Sequence, residues 1–75
     1  MTLIQVKTGQ TVKIVSFTGG TGLELKLRQL GLIPGDTARV LRHAPLGGPI
    51  LVEVDGRSIA LGRGVASKVV VESHL

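Results

Sequence analysis

Seventy-five residues leave room for one small domain, and a chain of this size buries only about 60% of the surface its unfolded form exposes. It is 43% hydrophobic and 19% charged, which excludes a disordered polyelectrolyte, and without cysteine it has no disulfide scaffold, thiolate chemistry or iron–sulfur ligation. Nine basic against five acidic side chains give a formal charge of +4, which suits an anionic partner surface without choosing one.

The amino terminus, Met1 to Lys7, has neither a basic n-region nor a long apolar run, so no signal peptide is read there. No apolar stretch approaches the ~20 residues of a membrane span. The expectation is a cytoplasmic protein that does not insert into a membrane. Thr11 to Phe17, rich in β-branched residues, predicts a first strand with Phe17 in the core. Gly19, Gly20 and Gly22 mark a turn. Leu23, Leu27 and Leu30 then recur at i, i+4 and i+7, the apolar stripe of a helix of about two turns. Thr21 and Glu24 have the spacing of a capping box, Gly31 is placed to end the helix, and Pro34-Gly35 fits a type II turn.

Thr37 to His43 reads as the second strand. Ala44-Pro45-Leu46-Gly47-Gly48-Pro49 holds too many breakers for anything but a loop. Ile50 to Asp55 and Arg57 to Leu61 form a hairpin on the type I′ signal Asp55-Gly56. That register sets Val54 opposite Arg57, Val52 opposite Ile59 and Ile50 opposite Leu61. Gly62-Arg63-Gly64 breaks the chain, and Ser67 to Glu72 gives the last strand. The fold class is all-β with one short helix. Five short strands hide their edges most economically by closing, so the architecture expected over residues 1–75 is one small SH3-like barrel.

Catalytic signatures fail one by one. The glycines do not have the spacing of a P-loop or a dinucleotide fingerprint. His43 and His74 are the only histidines, the serines sit in no nucleophile motif, and the acids are unpaired. No enzyme is expected and no cofactor is required. His43 is a candidate metal ligand, but no metal site is assigned, and any transition-metal binding is expected to be adventitious. Nucleic-acid binding is not favoured, because Phe17 is the only aromatic and the basic residues are spread along the chain.

Leu30-Gly31-Leu32-Ile33-Pro34-Gly35, followed by a strand and then Ala44-Pro45-Leu46-Gly47-Gly48-Pro49, resembles the FeoA family, small cytoplasmic proteins of bacterial ferrous-iron uptake. The resemblance runs over about positions 8 to 72. Gly48 stands where the family usually has aspartate, Gly62 replaces an arginine, and Val65 replaces a glutamate. The resemblance implies an SH3-like barrel with an inserted helix and no enzymatic activity. It also implies a partner, the cytoplasmic GTPase region of the membrane iron transporter FeoB. A similar barrel ends the diphtheria-toxin-repressor-type metal regulators, so a metal-binding or metal-sensing domain is the alternative; a small basic nucleic-acid-binding barrel is the second. For docking, the hairpin register turns Leu51 and Ala60 outward, Leu41 lies opposite the face shared by Ala38 and Val40, and Leu46 tips its loop. Leu41, Leu46 and Leu51 are therefore the expected partner contacts, with Arg39 and Arg42 orienting the approach to an acidic face.

Overall fold

The computed structural model of the chain describes residues 1–74. Five strands form one antiparallel sheet: β1 (Thr11–Phe17), β2 (Thr37–His43), β3 (Ile50–Val54), β4 (Arg57–Leu61) and β5 (Val69–Ser73), in the order β4-β3-β2-β1-β5. Helix α1 (Thr21–Leu30) joins β1 to β2, and a single turn, α2 (Arg63–Ala66), joins β4 to β5. One apolar core receives Val12 and Ile14 from β1, Ala38 and Val40 from β2, and Ile50, Val52 and Val54 from β3. Ile59, Leu61, Val69 and Val71 complete the strand contribution. Leu27, Leu32 and Ala66 enter from the helices and their flanks. This is the small SH3-like fold that the strand pattern predicts.

The hairpin forms in the predicted register, with Val54 opposite Arg57, Val52 opposite Ile59 and Ile50 opposite Leu61. Asp55 and Gly56 have φ of 52° and 76°, as a type I′ turn requires. Helix α1 also ends as predicted. Gly31 takes φ 96°, its N–H donates to Arg28 O at 3.0 Å, and the Leu32 N–H donates to Leu27 O at 2.9 Å. That is the Schellman pattern, with Leu27 and Leu32 both buried across it.

Several local expectations are corrected. No side-chain cap forms at Thr21, because Gly20 precedes the helix and Thr21 is already its first residue. Glu24 instead accepts from Arg28 Nη2 at 3.2 Å, one turn along the surface. The capping-box spacing is used at Thr2, whose N–H donates to Gln5 Oε1 at 2.8 Å as residues Leu3–Gln5 make a 3-10 turn. Only Leu27 of the α1 stripe is fully buried; Leu23 is half-buried and Leu30 is 38% exposed. Phe17 packs against the core from its margin rather than within it. Gly62-Arg63-Gly64 does not simply break the chain. It starts α2, which is fixed by the buried Ala66 and by Ser67 Oγ donating to Gly64 O at 2.7 Å.

The two edges of the sheet differ. Beside β5 lies the amino terminus, where Thr2 bridges to Val70 and the Val71 N–H donates to Met1 O at 2.8 Å. Strand β4 pairs with β3 alone among the described residues.

Candidate functional site

Strict alternation along β2 would send Arg39 and Arg42 to opposite faces. The ladder prevents this by a bulge: Val40 pairs with Val52, Arg42 with Leu51 and His43 with Ile50, so Leu41 is the extra residue. The bulge reverses parity. Arg39 and Arg42 are both exposed on the outer face, while the His43 ring turns inward and is half-buried, its Nε2 donating to Val6 O at 2.7 Å. Leu41 is half-buried at the bulge.

Two rows therefore cross the outer face of β2, β3 and β4. Arg39, Glu53 and Ser58 form one; Arg42, Leu51 and Ala60 form the other. Among the described residues neither arginine makes an ion pair or a side-chain hydrogen bond. The second row continues into the loop, and Arg42, Ala44, Pro49, Leu51 and Ala60 line a groove of about 220 Å³. The groove exists because alanine at positions 44 and 60 leaves space that a larger side chain would fill. Leu51 and Ala60 are outward, as the hairpin register predicts; the contributions of Ala44 and Pro49 are not legible before the loop is folded.

The loop itself is a tight reversal. The Ala44 N–H donates to Pro49 O at 3.0 Å and the Gly48 N–H to Pro45 O at 3.1 Å, which leaves Leu46 and Gly47 at the turn centre with φ of 60° and 72°. Leu46 is 103% exposed. A leucine in the left-handed region sacrifices roughly 1–2 kcal/mol, and full exposure forgoes the roughly 1.5–3 kcal/mol that burial would return. Gly48, at the aspartate position of the family pattern, is enclosed: a Cβ there would meet Ala44 Cβ at 2.9 Å.

Chemically, the face offers apolar area, two uncommitted guanidinium groups and no acid–base pair. No polar or charged side chain is buried among the described residues, and no three of His, Cys, Asp or Glu come together there. With Nε2 on a backbone carbonyl, His43 has only Nδ1 left for a ligand.

The sequence model of the FeoA domain family matches residues 1–73. The chain belongs to the FeoA family. A relative from Methanocaldococcus jannaschii named Fe(2+) transport protein A is 33% identical over 66 residues, covering 88% of this chain and 78% of that protein. The crystal structure of an iron uptake regulatory protein, FeoA, superposes with a TM-score of 0.88 at 34% identity, covering 99% of this chain and 96% of that one. Iron(II) transport protein A from Clostridium thermocellum gives a TM-score of 0.91 at 30% identity over 97% of this chain and 45% of that chain. The fold also recurs within the manganese-activated repressor ScaR, with a TM-score of 0.89 and 27% identity, where it covers 35% of the repressor chain. As a FeoA protein the chain is tied to Fe2+ transport, and none of its described helices is long and apolar enough to cross a membrane.

Proposed function

We propose that this FeoA protein is a cytoplasmic, non-enzymatic accessory of ferrous-iron uptake that docks on the cytoplasmic GTPase region of a FeoB-type membrane transporter. The observation that carries the reading is Leu46, fully exposed at positive φ on a loop whose two roots wall an apolar groove. A residue that contributes so little to folding and is held in so unfavourable a backbone region suits a role in contact with a partner. Leu51 and Leu41 support the apolar contact, and Arg39 and Arg42 steer it toward an acidic face, since unlike charges raise the rate of encounter.

Capture of the transporter's cytoplasmic region by the immobilised protein tests this. Leu46→Asp is expected to abolish capture with the folded spectrum intact, and Arg39→Glu with Arg42→Glu to weaken it by slowing association. Undiminished capture by Leu46→Asp contradicts the reading. Iron is the transporter's cargo here and not a cofactor of this chain, so anaerobic titration should reveal no one-to-one Fe(II) site tighter than about micromolar, ~8 kcal/mol. A tighter site favours the metal-sensing alternative.

A further inference from the structure

The free edge of β4 adjoins the groove. In a two-residue hairpin the closing pair exchanges backbone hydrogen bonds and the next pair does not. With Val54 opposite Arg57, the residues bonded to β3 are therefore Arg57, Ile59 and Leu61. Ser58 and Ala60 direct both N–H and C=O away from the sheet, and both are exposed. Among the described residues no backbone hydrogen bond outside the β3 ladder reaches β4. The usual edge protections are missing. The strand has no proline, lysine or bulge, and the Arg57 guanidinium lies against Gly31 at the end of α1. The opposite edge, by contrast, is covered by Met1 and Thr2.

We infer that β4 accepts an extended acidic segment of a protein partner as a sixth, antiparallel strand. This rests on the docking reading above for the kind of partner, and adds how the partner binds. A residue paired with Ala60 has its side chain beside Ala60, on the face that bears the groove, and the small Ala60 leaves room for an aliphatic side chain to lean toward it. The net charge of +4, with Arg42 as the one charged group lining the groove, favours carboxylates over lysines in the added strand, placed two residues from that aliphatic group so that they share its face.

The probe is the peptide acetyl-Thr-Glu-Thr-Leu-Thr-Glu-Thr-amide, at concentrations up to about millimolar, followed by amide NMR on the intact protein. Shifts and slowed hydrogen exchange at Ser58 and Ala60 are expected. N-methylation of the peptide's leucine, which removes the N–H facing Ala60, should weaken binding about ten-fold or more, whereas N-methylation of a neighbouring threonine should not. Lysine for glutamate should weaken it similarly. Ala60→Pro, tolerated at an edge where the N–H faces solvent, should lose the peptide without losing the fold. Unchanged Ser58 and Ala60 amides, or equal binding of the N-methyl-leucine peptide, overturn the inference. So does protection of these amides in the free protein that grows with its concentration, since a second copy then occupies the edge. Because the peptide assay needs no transporter, its outcome is independent of whether Leu46→Asp abolishes capture.

Discussion

Leu46 shows how a residue can lower the stability of the fold that carries it. Its φ of 60° belongs to the region where asparagine sits with less penalty, and no burial offsets the difference. Leu46→Asn is therefore expected to raise stability by about 0.5–1 kcal/mol, read as a higher denaturation midpoint, while transporter capture falls. A lower midpoint would mean that the leucine supports the loop. The exposure of Leu46 is legible in the sequence because prolines and glycines surround it. Its backbone conformation is not, since nothing local distinguishes a type I′ turn centred on Leu-Gly from other reversals. Arg42 is the sharper case. Its direction depends on a bulge at Leu41, and a bulge arises from the fit of β2 to β3 rather than from either strand alone.

Among the elements, those specified by their own residues are the legible ones. The hairpin follows from Asp55-Gly56, the end of α1 from Gly31, and β2 from the breakers at either side. Gly56→Val tests the first of these: a β-branched residue at φ 76° should reduce stability by about 1 kcal/mol or more. For a small domain that is a visible fall in the denaturation midpoint; an unchanged midpoint contradicts the turn assignment. Elements specified by their neighbours are missed. The turn of α2 begins among glycines and is fixed by burial of Ala66. The 3-10 turn at Leu3–Gln5 is partly legible, since Thr2-Leu3-Ile4-Gln5 has capping-box spacing. At Thr21 and Glu24 the same spacing forms no cap, because Gly20, at φ 89°, supplies the helix entry. Leu30 falls on the apolar stripe by spacing, yet it is the last residue of α1, and the turn at Gly31 sends Leu32 into the core while Leu30 stays exposed.

At the scale of the molecule, the core and the outer face divide the work. Burying sixteen hydrophobic side chains among the described residues stabilises the fold, and FeoA proteins and a metal-dependent repressor domain share it. Function must then come from what the barrel displays, and the proposed docking assigns it to the Leu46 loop, the groove and the two arginines. In the proposed complex this face docks on the transporter. Amide shifts of the labelled protein, titrated with the transporter's cytoplasmic GTPase region, test it most directly. Docking by this face is expected to perturb residues 39–51 and 58–60 and to leave the outer face of α1 unaffected. Perturbation centred on α1, or none at saturating concentrations, would contradict it.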